Sequence, residues 1–193
     1  MSFYMKLKIV YLLLSLLPLL VPSCTIKSRT DIPDQAGQEQ DISELGEIQA
    51  AYDRILDLKG EWEGSFEWTG AITGIGYLKA IYSINGSNSA MIENLVDEKG
   101  NITMTTIYHL DGPSSLRATH FCMYNQPRFR ATEVGTRAIK FDIIDITNLP
   151  EKNPGHVYGL ALDFLSQDSL HITFDYRKGN ILSKELVHLG RVR

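Results

Sequence analysis

Residues 99–127 read KGNITMTTIYHLDGPSSLRATHFCMYNQP. Short runs of β-branched and aromatic side chains alternate here with the turn signals Lys99-Gly100-Asn101, Asp111-Gly112-Pro113 and Asn125-Gln126-Pro127. Asp-Gly and Asn-Gly pairs are strong hairpin turns, because both ask for positive φ. The same rhythm runs outward in both directions. Upstream turn signals fall at Thr69–Gly74 and Asn85-Gly86-Ser87. Downstream they fall at Val134–Thr136, Asn148–Gly155, Gln167–Ser169 and Lys178-Gly179-Asn180. These breaks predict about ten strands. Consecutive hairpins form an antiparallel meander, and one this long avoids exposed edges best by closing on itself. The expected fold is mainly β: a single antiparallel up-and-down barrel preceded by a helix.

The helix is read from Asp41-Ile42-Ser43-Glu44, a capping-box pattern, followed by Leu45, Ile48, Tyr52, Ile55 and Leu56 on one apolar face. Lys59-Gly60 ends it. A helix with one apolar face is suited to plug an end of the barrel. No internal repeat and no second linker divides the domain.

Composition bounds the function. The chain of 193 residues is 44% hydrophobic and 22% charged, which excludes wholesale disorder. Its net charge is −4 and it has no basic block, so no nucleic-acid partner is expected. Two cysteines are too few for a disulfide-stapled scaffold.

The N-terminus carries a targeting signal. Lys6 and Lys8 precede an apolar run from Ile9 to Leu20, broken by Ser15 and Pro18. That run is short of the roughly 20 residues a spanning helix needs, and it matches a secretory h-region. Met5 is an alternative start to Met1. Val21-Pro22-Ser23-Cys24 follows and resembles a bacterial lipobox, in which the cysteine is lipid-modified and becomes the mature terminus. Ordinary cleavage after Ser23 is the alternative. The expected organisation is a lipoprotein signal peptide over 1–23, a flexible tether over 24–40 and a helix-plus-barrel domain over 41–193. Cys24 is the expected lipid (palmitate) attachment site, and the membrane is the expected partner through it. The expected location is the bacterial cell envelope, on the periplasmic side of the outer membrane.

Two resemblances bear on the fold. Leu58-Lys59-Gly60-Glu61-Trp62-Glu63-Gly64 is similar to the Gly-x-Trp opening of calycin barrels, the group of lipocalins and fatty-acid-binding proteins. The resemblance implies structural roles for Gly60 and Trp62, with Trp62 at the barrel floor and Arg191 or Arg193 packed on it. Tyr108-His109-Leu110-Asp111-Gly112, Thr119-His120-Phe121-Cys122 and Asn125-Gln126-Pro127-Arg128 resemble the signature of a family of exported bacterial lipoproteins with a calycin-like barrel. Phe121 departs from that pattern, as does a shortened turn before Asn125. The resemblance implies a fold and no activity.

The candidate site lies on the strand before Cys122. Leu116, Ala118, His120 and Cys122 share one face, read as barrel interior. Alternate residues sit about 6.5 Å apart at Cα, compatible with two ligands of one metal. His109 is a possible third, suiting Zn²⁺, or iron within a porphyrin. The same residues equally describe a hydrogen-bonded core histidine beside an inert cysteine. Arg128, with Arg130 on its face, is a candidate anchor for a ligand carboxylate if inward and a solvated charge if outward. His156, His171 and His188 have no partner at diagnostic spacing, and Glu61 and Glu63 flank Trp62 on the solvent side. No hydrolase, P-loop or Cys-x-x-Cys pattern occurs. The ligand-binding candidates are therefore His109, His120, Cys122 and Arg128, with no cofactor or metal assigned. The expected function is a lipid-anchored envelope protein binding a small, mostly apolar ligand in its barrel. The alternatives are a metal- or haem-dependent enzyme using His109, His120 and Cys122, and a self-filled barrel that contacts a partner.

Overall fold

Turn residues at the predicted breaks, glycine or asparagine at all but Gln167–Ser169, separate ten strands that close into a ring. The structure, a computed structural model, describes residues 35–149 and 155–193. Helix α1 (Gln35–Leu56) leads into β1 (Gly60–Gly70), β2 (Gly74–Ile84), β3 (Met91–Val96), β4 (Ile102–Leu110) and β5 (Leu116–Cys122). These are followed by β6 (Gln126–Val134), β7 (Ala138–Thr147), β8 (His156–Ser166), β9 (Ser169–Lys178) and β10 (Ile181–Arg191). Each strand pairs antiparallel with its sequence neighbours, and β1 pairs with β10 from Trp62↔Arg191 to Gly70↔Ser183. Gly100, Gly112 and Gly179 hold φ at +85°, +72° and +59° in three of the turns. The expected barrel is therefore the observed one.

The helix differs from its expected start. It begins at Gln35, so Asp41 lies inside it rather than at its N-cap, and residues 35–40 of the expected tether are helical. Gln, Ala and Glu in that stretch are strong helix formers, so a polar sequence can extend a helix without an apolar stripe. Cys24, the expected signal peptide and the start of the tether lie outside the described residues.

One end of the barrel is closed. Ile48, Ala51, Tyr52 and Ile55 on α1, with Leu58, join the interior cluster that contains Trp62, Met91, Tyr108 and Leu116. The Tyr52 hydroxyl donates to Asn88 O in the β2–β3 turn, and Arg54 donates to Gly135 O in the β6–β7 turn. Trp62 forms the floor there, with its indole N–H donated to Leu58 O at 2.8 Å. Gly60 holds φ at +129°, a backbone state that a side chain would strain. A Cβ at Gly64 would lie 1.8 Å from His188 O, so β1 and β10 approach as they do only because position 64 is glycine. Above the floor, Phe129, Phe141, Leu162, Ile172 and Phe174 are fully buried and fill the lower barrel. Burying each such side chain contributes about 1.5–3 kcal/mol.

Candidate functional site

Alternation along β3, β4 and β5 carries Glu93, Thr106 and His120 to the interior, and the strand register sets them side by side. All three are 0% exposed. The Tyr82 and Tyr108 hydroxyls donate to Glu93 Oε2 at 2.8 and 3.2 Å, and the Thr106 hydroxyl donates to Glu93 Oε1 at 2.9 Å. Thr106 Oγ1 also lies 2.9 Å from His120 Nδ1. A hydroxyl has one proton, and this one is given to Glu93, so Nδ1 must carry the proton and donate to Oγ1. His120 is thereby held as a neutral imidazole, and burial pushes its pKa down to about 4. Its Nε2 is buried without a hydrogen-bond partner, and its ring lies against Phe174 with centroids 5.0 Å apart. Burial raises the Glu93 carboxyl, while the three hydroxyls favour its ionised form.

Above this layer, at the end away from α1, the barrel keeps a cavity of about 160 Å³ lined by Trp68, Thr103, Met104, Cys122, Met123, Val157, Tyr176 and Glu185. Glu185 is 3% exposed and accepts a hydrogen bond from the Trp68 side chain, its cross-strand partner. Burial lifts its pKa to about 7. The Cys122 thiol, also buried, is pushed up to about 11, with the Glu185 carboxylate adding to the effect of burial. Trp68 and Tyr176 stand edge to face, 5.8 Å between centroids at 88°.

The four sequence candidates do not form one site. His120 and Cys122 face inward as the alternation predicts, on the burial pattern of β5. His109 and Arg128 instead lie on the outer face, lining a depression of about 290 Å³ with Arg117, Asp111 and Asp145. Arg128 makes a two-pronged ion pair with Asp145, its Nε and Nη2 at 2.6 and 2.5 Å from the carboxylate, so its charge is matched outside the barrel. A metal or haem held jointly by His109, His120 and Cys122 does not fit this geometry, because β4 turns His109 outward when it turns Tyr108 inward. Among the described residues no group of three or more His, Cys, Asp or Glu could hold a metal ion. The mouth cavity is also smaller than the roughly 300 Å³ from which drug-sized ligands are accommodated, and far smaller than a porphyrin requires.

A larger concavity, about 540 Å³, lies at the helix end between α1 and the β8–β9 turn. Its two arginines already have partners: Arg54 gives Nη2 to Gly135 O and lies over the Phe164 face, with its Nε left without a partner, and Arg191 engages backbone carbonyls, Asp168 and the Trp62 ring. The mouth cavity, with its buried carboxyl, is the better placed for a ligand.

Three features escaped the sequence reading. Glu93 and Glu185 are carboxylates on otherwise apolar strand faces (Met91-x-Glu93-x-Leu95, Glu185-x-Val187-x-Leu189), a signal legible from alternation alone. His171 and His188, which stand at no diagnostic spacing in the sequence, are directly paired across β9 and β10, Nε2 to Nδ1 at 2.7 Å. The two-residue turn at Gly179-Asn180 sets Lys178↔Ile181, and counting back along the hairpin brings His171 opposite His188.

No family model and no curated protein matches the chain. Solved structures resemble it. The crystal structure of Rv2717c from M. tuberculosis superposes with a TM-score of 0.55 at 13% identity, covering 74% of this chain and 98% of that one. A protein of unknown function from the DUF3598 family of Nostoc punctiforme superposes with a TM-score of 0.41 at 14% identity, over 72% of this chain and 48% of that one. The likeness to Rv2717c, at 13% identity, is one of fold alone.

Proposed function

We propose that this protein is a lipid-anchored envelope protein that holds a small, mostly apolar ligand at the mouth of its barrel. The observation that carries the reading is the mouth cavity: an apolar wall of Trp68, Met104, Met123, Val157 and Tyr176 around a buried carboxyl and a thiol. Ligand sites combine a concave apolar lining with a few placed polar groups, and this cavity has that composition. The packed lower barrel confines the ligand to the mouth, within reach of Cys122, while His120 and Glu93 stiffen the layer beneath. At about 30 Å³ for a water-sized group, the cavity takes about five such groups, so the ligand is small.

The anchor rests on the basic, then apolar N-terminus ending at Ser23-Cys24. Stable attachment takes two or more acyl chains, as a lipidated N-terminal cysteine of this type would carry. Native mass spectrometry of the mature protein tests both parts. The expected result is a chain starting at acylated Cys24 with a small retained mass that Cys122→Trp, which fills the cavity, removes. An unmodified soluble chain beginning at Cys24 overturns the anchor. A folded chain that neither retains nor takes up any small molecule overturns the binding role.

A further inference from the structure

We infer that the mouth cavity is a site for a small organic cation, an alkyl or methylated ammonium, with Glu185 as its counter-ion and Trp68 and Tyr176 as its aromatic walls. The inference rests on the ligand-binding reading above and names the chemical class of the ligand.

Three properties of the lining point the same way. The first is charge. Glu185 is the sole carboxylate among the lining residues, and no Lys, Arg or His is present there to neutralise it. A buried carboxylate is costly unless it is paired, and here its partner is the neutral Trp68 side chain. A cationic ligand would supply the missing charge.

The second is the wall. Trp68 and Tyr176 stand at right angles, forming a corner beside the carboxyl, and Met104 and Met123 complete it with polarisable sulfur. Aromatic faces attract cations electrostatically, and cages of this kind with a nearby carboxylate suit alkylated ammonium groups. The third is titration. The titratable groups facing Glu185 are Cys122 from β5 and Tyr176 from β9. Burial raises both and keeps both neutral around pH 7. Met104 and Val157 contribute no titratable group, so Glu185 sets the charge of the cavity. Its pKa of about 7 leaves it partly protonated when empty. Deprotonation and cation binding then favour each other.

The test uses the mature full chain in lipid nanodiscs, with the Trp68 indole N–H followed by NMR. The probes are tetramethylammonium, isopropylammonium and tert-butanol, a neutral match in size. The expected result is saturable shifts with at least one cation at pH 8. Affinity falls about tenfold at pH 6, because the carboxylate fraction falls by that factor for a group titrating near 7. In Glu185→Gln, which keeps the hydrogen bond from Trp68, cation binding weakens at least tenfold while the melting temperature does not fall. If tert-butanol binds as well as the cations, or Glu185→Gln leaves cation binding unchanged, the cation site is overturned and the apolar-ligand reading stands. If no probe moves Trp68 at either pH, both fall.

Discussion

Arg191 holds its guanidinium carbon 4.3 Å above the ring of Trp62 while donating to the backbone carbonyls of Asp57 and Lys59. A residue at the end of β10 thus covers the floor tryptophan at the start of β1 and ties down the link from α1. Arg193, the other candidate for this role, is exposed and pairs with Asp168.

Removing either partner should therefore be costly in different ways. Trp62→Ala should destabilise by about 3–5 kcal/mol through the cavity it leaves, and Trp62→Phe by less. Arg191→Ala should cost about 1–2 kcal/mol, with Arg191→Lys recovering little, since an ammonium lacks the planar fork. Arg193→Ala should stay within about 0.5 kcal/mol. Urea melts of the five variants check the order.

Stability should depend on pH through two interior groups of opposite sign. His120 titrates at about 4 in the fold against 6.5 when free, so its contribution is present above 6.5 and is lost as pH falls towards 4. Glu185 titrates at about 7 against 4.5, so its contribution is present below 4.5 and is lost as pH rises to 7. Between pH 4.5 and 6.5 the two slopes oppose. Relative to the parent, Glu185→Gln should gain about 1.4 kcal/mol per pH unit across that window, and His120→Asn should lose as much. Parallel curves for either variant would contradict the assignment.

Cys122 should be slow to modify. Its thiol is 8% exposed and pushed from 9.0 to about 11, which makes the thiolate about a hundredfold scarcer at neutral pH. A maleimide should label the native protein at least a hundredfold more slowly than the urea-unfolded chain. Fast native labelling would mean that the mouth is open.

The contact between the two histidines on the outer wall should show in the titration of His171. Burial and the charge of His188 both hold His171 below its usual range, with Asp163 opposing. In His188→Ala the His171 midpoint, read from its ring protons by NMR, should rise. An unchanged midpoint would mean the rings do not interact in solution.

Much of this architecture could be read from the chain because β-turn chemistry is local. Lys178-Gly179-Asn180 or Asp111-Gly112-Pro113 specifies a reversal without reference to anything distant, and the strands follow. Which residues face inward was equally legible on β5, where Leu116, Ala118, His120 and Cys122 are the buried set. Partners across strands were harder. Glu93 meets Thr106 only after the five-residue link from Asp97 to Asn101 and a bulge at Leu95/Val96, so counting from the turn misplaces the pair. His109 misleads for a simpler reason. It lies near the turn in sequence, but Tyr108 beside it is the buried residue and a strand cannot bury both on one face.

The pairing of β1 with β10 also governs when this molecule can exist as a barrel at all. Trp62 and Arg191 belong to strands separated by nearly the whole domain, and the chain between them must be gathered before either gains its neighbour. Contacts so distant in sequence are entropically late and slow to form. Until β10 arrives, β1 and β9 each present a bare row of backbone donors and acceptors, the arrangement most prone to pairing with another chain. Completion of the fold is thus timed by its final strand, and a chain truncated before Ile181 should accumulate as aggregate rather than as a smaller barrel.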